Sequence, residues 1–190
     1  MAGRRQAAAD KRERLAQAAA NLAYRQGYRR TTLADIAAES GVPLGNVYYY
    51  FKTKDDIGDA ILAQRNAEFA MLRSELDRLP TPVDRLVAFV DSTVGNADMV
   101  AANGCPMGSL SVEFLKDGEP LAGRSRSLFA GPLSWMEAQF RDLGRPDDAG
   151  DLALQLLASL QGAMMLTHSF RDTSLLAREG ARLKDWLQTL

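Results

Sequence analysis

The sequence predicts an all-α protein, and three observations carry that expectation. Apolar residues recur at helical spacing, as in Leu15, Ala18, Ala19 and Leu22, and no stretch alternates convincingly as a strand would. Caps and breakers (Gly, Pro, Thr, Asp) divide the chain at helix-length intervals. Charge is also divided. Residues 1–55 carry ten Lys or Arg against five Asp or Glu, whereas residues 56–190 carry thirteen against nineteen. A basic first third on an acidic remainder implies a polyanion-binding module joined to a body that stays off polyanions.

The elements follow in order. A first helix spans about 10–26, behind an Ala-rich start expected to fray, and Gly27 stops it. Thr32 and Asp35 stand as N-cap and N3 of a second helix, ended by Gly41. Pro43 opens a short third helix, where its missing N–H costs nothing. Thr53 caps a fourth that runs to about Arg78 with Ile57, Ile61, Leu62, Phe69, Leu72 and Leu76 on one side. Thr81, Pro82 and Asp84 open a fifth, closed near Asn103-Gly104, and a sixth begins at about Pro106. After a junction at Asp117-Gly118-Glu119-Pro120, Leu121 to Leu143 is a seventh. The eighth starts at Pro146-Asp147-Asp148 and runs towards Phe170, and Asp172-Thr173-Ser174 caps the ninth.

Composition narrows the class further. With 46% hydrophobic and 25% charged residues, the 190-residue chain is ordinary for one or two soluble globular domains. One cysteine excludes an intrachain disulfide framework and points to a reducing cytoplasm. The charged N-terminus lacks the apolar run of a secretory signal. The most apolar segment, Leu152 to Leu166, is interrupted by Gln155 and Gln161 and is short for a bilayer, so no membrane partner is expected. One Cys and one His offer no chelating cluster, so neither a metal nor a cofactor is expected.

Thr31 to Asp55 reads as two short helices joined at a glycine. Ala37 must be small where the helices cross, Gly41 takes the left-handed turn, and Val47 anchors the second helix. Tyr50 and Phe51 join Val47 at i+3 and i+4 and should point inward, leaving residues 44, 45, 46, 48 and 49 outward. Lys54 lies at a helix N-terminus, where a cation opposes the macrodipole; either a phosphate sits there or it is a surface lysine beside Asp55.

With Thr31-Thr32, Asp35-Ile36-Ala37, Gly41-Val42, Gly45, Val47-Tyr48-Tyr49-Tyr50-Phe51, Lys54 and Asp55-Asp56 in place, residues 10–58 resemble the TetR family of bacterial transcriptional regulators. The resemblance implies a three-helix helix-turn-helix DNA-binding domain, 1–55. It implies an effector-binding and dimerisation domain of about six helices, 56–190, and a homodimer on a double-stranded operator. It makes Thr31 or Thr32 and Lys54 contacts to backbone phosphates, and Tyr48 and Tyr49 contacts to phosphate walls or base edges. Pro43, Leu44 and Asn46 depart from the usual Ser-x-Gly-Thr pattern; Pro43 cannot donate the hydrogen bond a serine supplies. Asn46 could pair bidentately with adenine and Leu44 touch a thymine methyl, against the plainer reading that Asn46 caps its helix.

The segment GCPMGSL resembles one found in a branch of the family near the effector cavity. The lining candidates are Phe69, Phe89, Cys105, Met107, Leu110, Phe114, Trp135, Met165 and His168, with a polar end near Gln139, Gln161 or His168. They imply a small, mostly apolar effector; plain core is the alternative for each. Cys105, after Gly104 at a helix start, is a candidate thiol sensor of electrophiles or oxidants, or an inert buried thiol. A Cys105/His168 enzyme with Asp172 is a second class, weakened by a separation of 63 positions without a motif, so no catalytic residue is expected; a non-specific nucleoid or scaffold protein is a third. The last two helices are apolar on two sides. Leu152, Leu156, Leu160, Ala163 and Met164 form one stripe, while Leu154, Leu157, Met165 and Phe170 lie elsewhere. Small Ala158, Ser159, Gly162 and Ala163 would admit a symmetry mate, so the dimer should form through these helices.

Overall fold

A computed structural model describes residues 2–118 and 120–190, with side chains for all of these except 2–8 and 117. Glu119 of the expected junction lies outside the described residues. The described chain is helical without strands: α1 Ala2–Gln26, α2 Leu33–Ser40, α3 Leu44–Tyr50, α4 Lys54–Leu76, α5 Pro82–Val94, α6 Ala97–Asn103, α7 Pro106–Asp117, α8 Leu121–Arg124, α9 Ser127–Asp142, α10 Ala149–Phe170 and α11 Thr173–Leu187. These are the nine expected helices with two of them interrupted. Gly95-Asn96 divides the fifth into α5 and α6, with Asn96 Nδ2 donating to the Ser92 carbonyl at 2.7 Å. The seventh divides where the hydroxyls of Ser125 and Ser127 donate to the carbonyls of Ala122 and Arg124, at 2.8 and 3.0 Å. Such local bonds compete with the helical ladder. The first helix starts earlier than expected because its Ala-rich opening carries the highest helix propensity.

Two compact units emerge. One comprises residues 1–67 and 109–128, and the other residues 68–108 and 129–190. The boundary read from the sequence, after residue 55, differs from this division by contacts, in which residues 56–67 of α4 stay with the first unit and residues 109–128 join it.

In the first unit α1 packs on α2 and α2 on α3. Leu15, Ala19, Ile36, Val47 and Phe51 are buried in it. In the second, α10 packs against α6 and α11, and α11 also against α5. Its core gathers Leu86, Val90, Met136, Phe140, Leu156, Leu176, Leu183 and Leu187, all at most 1% exposed. A Cβ on Gly180 of α11 would lie 2.4 Å from Val94 Cγ2 of α5, so any larger residue there requires Val94 to shift. Leu157, expected on an outer face of α10, is buried with the inner stripe. At 22 residues α10 is long and apolar enough to cross a bilayer, contrary to the expectation from its broken apolar run. Here it is a core helix, with Leu152, Leu156, Leu160 and Met164 buried in protein.

Candidate nucleic-acid interface

The exposed face of α3 is held in place by caps on its neighbours. Thr32 has extended backbone, its Oγ1 accepts from the Asp35 N–H at 3.1 Å, and Asp35 Oδ2 accepts from the Thr32 N–H at 3.0 Å. Gly41 ends α2 with φ 65°, a left-handed turn in which a side chain is strained. At the start of α4, Thr53 Oγ1 accepts from the Asp56 N–H at 3.1 Å. Asp56 Oδ2 accepts from the N–H groups of Lys52 and Thr53, at 2.8 and 2.9 Å. These backbone donors to charged oxygens hold the carboxyls of Asp35 and Asp56 below their ordinary values.

Between the two caps, α3 divides by burial. Val47 is fully buried and Phe51 nearly so, while Tyr50 is half-buried and meets Tyr49 edge-on at 5.2 Å. Tyr49 is 77% exposed, Tyr48 57% and Leu44 40%, beside exposed Pro43, Gly45 and Asn46. A seven-residue helix with two outward tyrosines leaves no apolar reason for its surface. The N-terminus of α3 carries no side-chain cap, so the capping role considered for Asn46 is not in the structure.

Two residues expected on phosphates make bonds within the protein. Thr31 is 1% exposed and donates to the Gly27 carbonyl at 2.9 Å, which leaves Thr32 as the exposed member of the pair. Lys54 is half-buried; its ammonium donates to the carbonyl of Tyr28 at 2.8 Å and to that of Thr31, and lies 4.6 Å from the Tyr28 ring centre. Tyr28, fully buried, donates its hydroxyl to the Lys54 carbonyl at 2.8 Å. Tyr28 carries little signal in the sequence. An aromatic directly after the Gly27 stop is its only local signal.

The nine lining candidates are divided between the two units. Phe69, Phe89 and Trp135 form one aromatic group in the second unit, with Trp135 at 6.5 Å from Phe69 and 5.7 Å from Phe89. Trp135 Nε1 donates to Asp77 at 2.8 Å, and Met107 is half-buried against the same core. Leu110 and Phe114 instead belong to the first unit, where Phe114 meets Tyr28 edge-on at 4.8 Å. Met165 faces outward at 69% exposure, because its position on α10 is opposite the buried stripe. His168 Nδ1 bonds the Ala101 carbonyl at 3.0 Å, beside Arg171, whose guanidinium donates to the carbonyls of Ala101 and Ala102. The buried Cys105 Sγ accepts from the Gly108 N–H at 3.3 Å and so caps α7. Of the expected polar end, Gln139 is buried and accepts from Arg85 at 3.2 Å. Gln161 lies near Cys105 instead, its oxygen 3.1 Å from where a Gly108 Cβ would stand.

Residues 15–61 match the family model described as bacterial regulatory proteins of the tetR family. Residues 82–181 match the C-terminal domain of LmrA/YxaF-like transcriptional regulators. The chain is 26% identical to YxaF of Bacillus subtilis, an HTH-type transcriptional regulator, over 86% of this chain and 87% of that one. It is 40% identical to the regulator TtgR of Pseudomonas putida, but only over 55 residues, 29% of this chain and 26% of that one. A solved TetR transcriptional regulator of Chloroflexus aurantiacus superposes with a TM-score of 0.81 at 25% identity, covering 96% of both chains. One from Legionella pneumophila has the same fold, with a TM-score of 0.81 at 19% identity over 93% of this chain and 95% of that one.

Proposed function

Since the chain belongs to the TetR family of bacterial regulatory proteins and is a DNA-binding transcriptional regulator, we propose that it is a repressor released from a near-palindromic operator by a small, mostly apolar effector. The observation that carries the DNA-contacting part is the outward face of α3, with Tyr48 and Tyr49 exposed while Val47 and Phe51 of the same turns are buried. In this reading Thr32, Tyr48 and Tyr49 set position on phosphates, and Leu44, Gly45 and Asn46 read base edges. So few readers per chain need two copies acting together.

We place the copy-to-copy contact on α10 and α11, and the working protein in the cytoplasm. Leu154, Met165, Leu166 and Phe170 are 50–71% exposed on α10. An open groove of about 470 Å³ runs beside them, with Ala158, Gly162, Leu166 and Leu175 among its walls. Two heads so joined would reach successive major grooves. The effector would bind the second unit, by the Phe69, Phe89 and Trp135 group, and shift the population towards an arrangement with lower operator affinity. Cys105 and His168 are engaged with backbone groups, and the reading gives them no catalytic part.

Selection of bound sequences from random duplex DNA tests the proposal. The expected result is a near-palindrome with half-sites about one helical turn, or a multiple of it, apart. Enrichment of no sequence, with binding that only follows salt, would overturn it.

A further inference from the structure

The turn after α1 is gripped by a carboxylate from far along the chain. Glu113 of α7 accepts from the N–H of Tyr28 through Oε1 at 3.2 Å and from the N–H of Arg29 through Oε2 at 3.0 Å. Gly27, with φ 90°, presents these successive donors, and a Cβ there would stand 3.2 Å from the carboxylate. Consecutive backbone N–H groups after a left-handed residue form a concave anion site. Here the anion is supplied by the chain itself.

That turn is bonded to both elements that flank α3 in sequence. Phe114, next to Glu113, packs edge-on against the Tyr28 ring at 4.8 Å. The Tyr28 hydroxyl and carbonyl exchange hydrogen bonds with Lys54, the first residue of α4, both at 2.8 Å. Lys54 also holds the carbonyl of Thr31, whose hydroxyl returns to Gly27, and the next residue, Thr32, is the cap of α2. Glu113 and Phe114 therefore hold one residue by backbone and ring, and that residue ties the start of α2 to the start of α4.

We infer that Glu113 is a positioning residue for DNA binding. Its carboxylate fixes the turn at residues 27–29, the turn sets α2 and α4 about α3, and operator affinity follows without any contact between Glu113 and DNA. The inference rests on the DNA-binding reading of α3 and deepens it by naming the residue of α7 that holds the turn. Withdrawing the carboxylate exposes two donors to water and releases the turn.

The test uses the full chain with Glu113→Ala and Glu113→Gln, read by amide hydrogen exchange without DNA and by Kd, salt slope and Tm with a selected duplex. In the alanine variant, exchange at Tyr28 and Arg29 should rise while α10 amides stay unchanged. Its Kd should rise about tenfold at an unchanged salt slope. Gln, which keeps one acceptor oxygen and the shape, should recover part of the affinity, and it carries the test if the alanine variant does not fold. Faster exchange with wild-type Kd would overturn the inference, as would unchanged exchange, or a lower Tm with unaltered affinity of the folded protein. A wild-type chain that selects no duplex overturns the DNA-binding reading itself, and the inference with it.

Discussion

Within each unit the contacts that hold it are of a different kind. In the first, polar side chains grip the backbone at named places: Asp35 and Asp56 on N–H groups, Lys54 on the carbonyls of Tyr28 and Thr31, Glu113 on the turn after α1, and Arg65 on the Ala20 carbonyl at 2.8 Å. In the second, grips such as Thr81 on Asp84 or Arg171 on Ala101 sit at helix ends, Trp135 on Asp77 and Arg85 on Gln139 lie within it, and aliphatic and aromatic packing fills the rest. A side-chain-to-backbone bond requires one residue type at one spacing, whereas a packed position requires only apolar character and volume. The first unit is therefore specified residue by residue, and the second mainly by its pattern.

The comparison can be broken most forcefully in the core. Leu156→Ala, at a fully buried position of α10, should destabilise the protein by about 2–5 kcal/mol, read by denaturant unfolding. The folded fraction should keep its DNA preference, and a changed preference would end the separation drawn here. Tyr49→Ala is the complementary case. Affinity for a selected duplex should fall about tenfold while stability moves by less than ~0.5 kcal/mol, because the side chain is 77% exposed. Thr32→Ala should cost about 1 kcal/mol of stability through the lost cap of α2, with Thr32→Ser restoring most of it. If serine restores nothing, the cap is not what Thr32 contributes.

The smallest effect lies in acid. Asp35 and Asp56 have carboxyls held below their ordinary value of 3.8 by the N–H groups they accept from. Lowered folded values mean that the stabilisation is complete above the unfolded pKa and lost as pH falls through the folded one. Unfolding of the first unit should therefore steepen below about pH 3.8, and Asp35→Asn with Asp56→Asn should flatten that limb. Asp172, lowered by its bonds to Ser174, makes one such contribution in the second unit.

Much of the fold was legible because helix ends have their own chemistry. Thr32 with Asp35, Gly41, Thr53 with Asp56, and Thr81 with Asp84 announced α2, α4 and α5 at their observed positions. The interruptions at Gly95-Asn96 and Ser125 to Ser127 were less so, since apolar periodicity continues across them. In the site, the burial of Val47 and Phe51 and the exposure of Tyr48 and Tyr49 followed from spacing alone. The engagement of Lys54 did not, because its carbonyl partners are 23 and 26 residues away, and Glu113 lies 84 and 85 residues from the amides it holds. The lining candidates scattered for a related reason. Helical spacing shows that Phe114 and Phe89 are inward, but not that one meets Tyr28 and the other Trp135.

The role proposed for α3 is both to position the protein and to read sequence, with Asn46 among the readers. Repeating the selection from random DNA with Asn46→Ala tests it most directly. The expected result is preference lost at one base pair in each half-site, with the others and the salt slope retained. Equal weakening on every sequence would contradict it.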